Sequence, residues 1–256
     1  MKTNATLIIT IILTIGFWCC AGNEKSDMET PAPDPPDTTA AKVLVFTKTA
    51  GYRHKSIEKG VATLSELGSE NGFEITQTED SLAFTKDNLQ KYQLVVFLST
   101  TMDILGDSGQ QAFTAYINGG GAYMGIHAAA DTEYDWPWYG KLAGAWFKSH
   151  PEQQEARMEV VNQNHPSTAH LGTSWTHFDE WYNFKDINPD IQILLRLDET
   201  SYEGGENGTN HPIAWYHNYD GGRAFYTGLG HTEEAFDDPK FRQHLLGGIQ
   251  WCLGVK

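Results

Sequence analysis

The 256-residue chain carries ten histidines, and several of them follow apolar runs in a way that suggests chemistry. His127 closes the stretch Gly119-Gly120-Gly121-Ala122-Tyr123-Met124-Gly125-Ile126 and stands directly before Ala128-Ala129-Ala130-Asp131. This pattern reads as a glycine-rich turn, a short buried strand, and a histidine at a sharp turn among small residues that let backbone and side chains crowd. His54 comes after Val43-Leu44-Val45-Phe46, His231 ends Gly228-Leu229-Gly230-His231 after the run Ala224 to Thr227, and His150 sits in Phe147-Lys148-Ser149-His150-Pro151. Neutral imidazole is a common metal ligand and titrates near physiological pH. His54, His127, His150 and His231, with a carboxylate from Asp179, Glu180 or Asp131, could hold Zn²⁺ or a similar divalent ion with one position open. They could equally act as general acid and base without a metal. No HxH or HExxH spacing occurs, so the local sequence does not choose between these two chemistries. His165 and His211 each precede a proline, while His170, His177 and His244 read as structural or exposed.

These residues need a scaffold that brings distant loops together. Val43 to Phe46 and Leu94 to Leu98 are continuously apolar, the pattern of strands buried on both faces. Between them lie a helical segment, Ile57 to about Asn71, with Ser56 as its expected cap and Gly72 as its stop; an alternating strand, Phe73 to Thr78; and a short helix near Thr85 to Leu89. A helix over Ser108 to Asn118 precedes the strand that ends at His127. The resulting β-α-β-α-β-α-β order predicts a parallel sheet flanked by helices, an α/β fold. In such a sheet the carboxyl ends of the strands face the ligand crevice, which is where His54, His127 and His231 would meet. The second half is richer in strands, expected over 157–161, 180–184, 191–197, 213–216 and 224–227, with a closing helix over Pro239 to Leu253.

Composition narrows the function classes. The net charge is -15 with no cluster of Lys and Arg, which argues against a nucleic-acid partner. There is no Walker loop, and Gly119 to Gly121 precedes its strand instead of following it, so no nucleotide cofactor is expected. Lys2, the apolar run Leu7 to Trp18 and the pair Cys19-Cys20 resemble a lipoprotein leader over residues 1–20, with Cys20 the lipidated residue. An ordinary secretory signal is the alternative, and either one exports the protein, with the lipid as its sole membrane anchor. Residues 21–41 are rich in proline and polar residues and read as a tether, and the domain covers 42–256. Only Cys252 remains in that domain, in an apolar setting that suits a buried thiol, so no disulfide framework is expected.

Two more features bear on chemistry. The segment Tyr134-Asp135-Trp136-Pro137-Trp138-Tyr139 offers aromatic faces that suit stacking on sugar rings, with Trp136 and Trp138 as candidates; a cap over the core is an equal reading. A strand followed by a tight turn also has the geometry of a nucleophile elbow. The residue there is His127, where glutamine amidotransferase chemistry needs a cysteine, so that activity is not expected.

Taken together, Thr49-Ala50-Gly51-Tyr52-Arg53-His54, Gly125-Ile126-His127-Ala128-Ala129-Ala130-Asp131-Thr132, Leu142-Ala143-Gly144 with Phe147 and His150-Pro151, Asp179-Glu180-Trp181-Tyr182, His211-Pro212-Ile213-Ala214-Trp215 and Gly222-Arg223-Ala224-Phe225-Tyr226 through Gly230-His231 resemble the ThuA-like (trehalose utilisation) family. The resemblance runs from Lys42 to Gly254. It implies a class I glutamine amidotransferase-like fold, a flavodoxin-like three-layer sandwich with a mostly parallel central sheet. It also implies a small-molecule carbohydrate as partner, in the breakdown of trehalose, sucrose and their keto forms. The polar pocket it implies contains His54, His127, His150, Glu180, His211 and His231, supported by Asp131 and Arg53. The expectation is a hydrolase, lyase or isomerase of sugars in which His127, His231 and Glu180 carry the catalysis. The alternative is a non-catalytic sugar-binding lipoprotein, or a module of a sugar-processing complex.

Overall fold

The computed structural model describes residues 40–255. The expected leader, Cys20 and the tether up to residue 39 lie outside the described residues. Eleven strands and five helices follow in the order β1 (Ala41–Phe46), α1 (Ser56–Asn71), β2 (Phe73–Thr78), α2 (Lys86–Leu89), β3 (Leu94–Leu98), α3 (Asp107–Asn118), β4 (Ala122–Ile126), α4 (Pro137–Ala143), β5 (Trp146–Ser149), β6 (Gln154–Val160), β7 (Ser174–Asp179), β8 (Asn183–Lys185), β9 (Gln192–Leu197), β10 (His211–Tyr219), β11 (Gly222–Thr227) and α5 (Pro239–Leu253).

Nine strands form one sheet in the order β2-β1-β3-β4-β11-β10-β9-β6-β7. From β2 to β11 neighbouring strands run parallel, and from β11 onward they alternate in direction. The parallel half is where the apolar runs fall: every residue of β3 and β4 is buried. That requires cover on both faces. α5 supplies it on one face, where its Gly248 lies against Phe225, and α1 packs beside it. On the other face α3 and α4 bury Phe113 and Tyr139 against Phe97 and Tyr123. β5 and β8 form a separate two-stranded sheet. Among the described residues no helix is long and apolar enough to cross a membrane.

Local chemistry explains the boundaries and corrects two of them. Gly72 ends α1 in the left-handed conformation, at φ 76°. Asp238 caps α5 by accepting from Lys240 N at 2.8 Å, with Pro239 in its first turn. Ser56, however, caps nothing: its hydroxyl donates to Gly230 O at 2.9 Å, tying the start of α1 to the loop after β11. The strand expected at 180–184 is interrupted. β7 ends at Asp179, Glu180 to Tyr182 form a connection, and β8 begins at Asn183. β7 does alternate, but its inward residues are Trp175, His177 and Asp179, so the buried face does not read as apolar.

Candidate active site

His127 follows β4 with φ 50°, in the left-handed region that is costly for a residue with a Cβ. The surroundings hold it there. Tyr226 donates to His127 O at 2.7 Å, and Ser99 N donates to Ile126 O at 3.1 Å. Gly125 must be glycine, because a Cβ would lie 2.5 Å from the Tyr123 hydroxyl and 3.1 Å from Ala129 Cβ. The elbow expected from the sequence is therefore present, with an imidazole at its tip.

β11 runs parallel to β4 with Thr227 beside Ile126, so the loops leaving the two strands are neighbours. His127 Nδ1–H donates to Gly228 O at 2.9 Å, which leaves the lone pair of Nε2 facing the site. Three residues further, His231 Nδ1 lies 3.1 Å from His127 Nε2 and 3.0 Å from Glu180 Oε2. The side-chain amide of Gln153 lies 2.8 Å from His231 Nε2, on the other side of the ring. His54 completes the group from the loop after β1. Its ring meets those of His127 and His231 edge-to-face at 4.7 and 5.0 Å, and the His127 and His231 rings are 5.1 Å apart. One ligand atom from each of His54, His127, Glu180 and His231 falls within 4.8 Å of all the others.

The electrostatics suit a cation. Burial, with the adjacent His127 and His231, pushes the His54 imidazole down to about 2, so the ring stays neutral. Its buried Nδ1 has no hydrogen-bond partner among the described residues. Burial alone would raise the Glu180 carboxyl, but the adjacent His127 and His231 rings outweigh it and hold the group well below the usual carboxylate range. Three imidazoles and a carboxylate are the donor set that Zn²⁺ and similar divalent ions take. The fixed tautomer of His127 and the unpartnered nitrogen of His54 both fit such an ion.

Other expected residues fall elsewhere. His150 is outside the group of four; its side chain is 44% exposed and its Nδ1 reaches the other oxygen of Glu180 at 3.2 Å. His211 is fully buried behind the site. Its Nδ1 meets Glu199 at 2.8 Å and Tyr202 at 3.1 Å, and its Nε2 donates to Tyr182 O at 2.8 Å, so nothing remains for a ligand. It supports Tyr182, whose ring lies 4.4 Å from that of His127. Arg53 points away into ion pairs with Glu58 and Glu79 at 2.7 and 2.8 Å. Asp131 flanks the site, held by the Tyr134 hydroxyl at 2.5 Å. Burial raises its carboxyl, with Tyr134 and His127 opposing.

Trp136 and Trp138 are at the wrong end of the sheet. Trp138 donates to Asp220 at 2.7 Å, and Asp220 lies in the turn before β11, near the Arg223–Ala122 pair that opens β11 and β4. Trp136 stacks on Trp138 at 4.9 Å, and both rings pack against the core. They cap the core, the second of the two readings. Cys252 is buried, as expected, and burial pushes its thiol up.

Asp179, one of the carboxylates the sequence offered, is not among the four grouped residues. Its buried carboxylate accepts from Gly230 N at 2.8 Å, from His231 N at 3.0 Å and from Glu180 N at 2.9 Å, so it fixes the backbones of two of the four grouped residues. The adjacent acidic pair Asp179-Glu180 was its signal in the sequence.

The fold has counterparts among solved structures. A ThuA-like protein from Bacteroides uniformis superposes with a TM-score of 0.70 at 24% identity, covering 87% of this chain and 94% of that one. A ThuA-like protein from Parabacteroides merdae gives a TM-score of 0.71 at 22% identity, covering 85% and 91%. A more distant likeness, with a TM-score of 0.57 at 12% identity, is to 32% of the chain of a β-galactosidase from Bacillus circulans. These are likenesses of fold. No curated protein sequence matches the chain. The ThuA family profile, described as trehalose utilisation, matches residues 42–252, the strands and loops that build the histidine group included. The chain belongs to the ThuA, or trehalose utilisation, family, which implies a role in carbohydrate metabolism.

Proposed function

We propose that this protein is a metal-assisted enzyme acting on glycosides or keto-sugars of the trehalose or sucrose type, as a hydrolase, lyase or isomerase. The observation that carries the reading is the convergence of His54, His127, Glu180 and His231, with ligand atoms within 4.8 Å of one another, at the carboxyl ends of β1, β4 and β11. His54, His127 and His231 would hold the ion through ring nitrogens and Glu180 through a carboxylate oxygen. When bound, a divalent ion supplies Lewis acidity to a sugar hydroxyl or carbonyl oxygen. The chain's own groups do the rest. Gly228 O sets the tautomer of His127, and Asp179 fixes the backbone of His231 and Glu180. His150, half exposed and with its Nδ1 3.2 Å from Glu180 Oε1, stands where a proton can pass between substrate and solvent. A sugar-binding protein without catalysis is the second reading, and the same pocket would serve it.

The test is elemental analysis and Zn²⁺ titration of chelator-stripped protein, followed by turnover assays on trehalose, sucrose and their 3-keto forms. Wild type should bind about one ion per chain, and His127→Ala and Glu180→Gln should lose both the ion and turnover. Metal binding without turnover of any of these sugars would favour the binding protein. Turnover that survives in His127→Ala would sink the site.

A further inference from the structure

Tyr52 and Met102 are two large hydrophobic side chains left in solvent, 62% and 44% exposed, and both stand beside the histidine group. They come from different loops, those after β1 and β3, at the same edge of the sheet. The Tyr52 ring meets His54 edge-to-face at 4.8 Å and 88°, which leaves much of the ring in water next to a member of the candidate metal group. Met102 lies over the neighbouring backbone: a Cβ on Gly51 would come within 2.8 Å of Met102 Cγ. Gly51 is therefore the close approach that seats the two side chains next to each other.

Neither residue is loosely held. Thr101 Oγ1 donates to Tyr52 O and accepts from Gly51 N, both at 3.1 Å, and Ala50 N donates to Thr101 O at 3.0 Å. Met102 has φ 61°, a costly conformation for a side chain of its size. Two backbone bonds hold it there: Met102 N donates to Asp131 O at 2.7 Å, and Glu133 N donates to Met102 O at 3.2 Å. A rigid backbone thus keeps two apolar groups in water, where relaxation would otherwise hide at least one. Strained backbone of this kind concentrates at ligand sites.

We infer that Tyr52 and Met102 form an apolar shelf that takes one sugar ring by its C–H face and so turns the ring's polar edge toward His54 and the grouped residues behind it. The inference rests on the carbohydrate reading above and names the positions that would select for it. Two side chains are far too small an area for a protein partner, which needs roughly 800 Å² on each side, and they match a single pyranose. An aromatic face beside polar groups is the usual way to hold a ring that is apolar on its faces and polar at its rim. The shelf takes over the stacking role that the sequence suggested for Trp136 and Trp138.

Calorimetric titration of the full chain with trehalose and, separately, with Zn²⁺ tests the shelf. Tyr52→Ala should weaken trehalose binding about tenfold, equivalent to about 1.4 kcal/mol, and leave Zn²⁺ affinity unchanged. Tyr52→Phe should bind trehalose like wild type, because the ring face and not the hydroxyl makes the contact. Met102→Asn, which tolerates the left-handed backbone, should weaken trehalose and spare Zn²⁺. Wild-type trehalose affinity in both Tyr52→Ala and Met102→Asn would overturn the shelf while leaving the carbohydrate reading intact. A wild-type chain that binds neither trehalose nor sucrose nor their 3-keto forms would overturn both.

Discussion

Asp179 touches no candidate ligand atom, yet the geometry of the site depends on it. Its two oxygens accept three backbone N–H groups, from Glu180, Gly230 and His231, at 2.8 to 3.0 Å, in a fully buried position. The same carboxylate lies 3.7 Å from His177 Nε2, and His177 Nδ1 is 3.2 Å from Asp238, so the clamp is tied in turn to the cap of α5. Asp179→Asn keeps the volume but turns one acceptor into an NH₂ that faces an N–H. With the amide oxygen kept on Glu180 N and His231 N, the NH₂ opposes Gly230 N–H, and the loop that carries His231 loses an anchor. Removal of such supporting groups typically costs 10–100-fold in metal affinity. The expected outcome is a fall of that size in Zn²⁺ affinity, read by competition with a chromophoric chelator, with near-native circular dichroism. Unchanged affinity would show that the loops hold the ligands without Asp179.

At the scale of elements, the sequence revealed what apolar patterning encodes and little of what polar burial encodes. β1, β3, β4 and β11 were legible because strands covered on both faces must be apolar throughout, and His54, His127 and His231 were legible because they follow those strands. β7 was missed because His177 and Asp179 face inward, and β5 because its four residues carry no alternation. The placement of Trp136 and Trp138 was not legible: nothing local says that the chain crosses to the opposite end of the sheet before α4 begins. Packing of α5 depends on a feature of the same hidden kind. At Gly247 a Cβ would lie 2.3 to 2.4 Å from backbone atoms of Pro166 and Ser167. Helix propensity alone predicts that Gly247→Ala stabilises by about 1 kcal/mol. The neighbour here is backbone, which cannot swing aside, and overpacking costs about 1–3 kcal/mol. Gly247→Ala should therefore lower the guanidinium midpoint at constant m-value. A raised midpoint would mean that the 165–167 turn yields freely.

That turn also governs how the whole molecule responds to acid. His165 Nδ1 meets Ser167 Oγ at 2.8 Å, His244 Nδ1–H donates to Ser167 O at 2.9 Å, and the Nε2 of each ring is buried without a partner among the described residues. Burial pushes His165 down to about 4 and His244 down to about 3, the latter against the pull of the Ser167 carbonyl. Both folded values lie below that of an unfolded histidine near 6.5. Above that pH neither state is protonated at these rings and they leave stability unchanged. As pH falls below it, the unfolded chain takes up protons that the folded chain refuses, so stability is lost progressively down to the folded values. Each ring then contributes a slope of about 1.4 kcal/mol per pH unit. The two together remove nearly 3 kcal/mol per unit, a large share of a typical domain's 5–15 kcal/mol. The acidic composition works the other way, since protonating carboxylates at low pH relieves the repulsion of a chain with net charge -15. The variant comparison separates the two effects, because His165→Gln changes one ring and leaves every carboxylate in place. Urea unfolding at intervals from pH 6.5 to 4.5 should give a slope for His165→Gln shallower than wild type by about 1.4 kcal/mol per unit. Parallel slopes would mean that the folded protein already protonates His165 in this range.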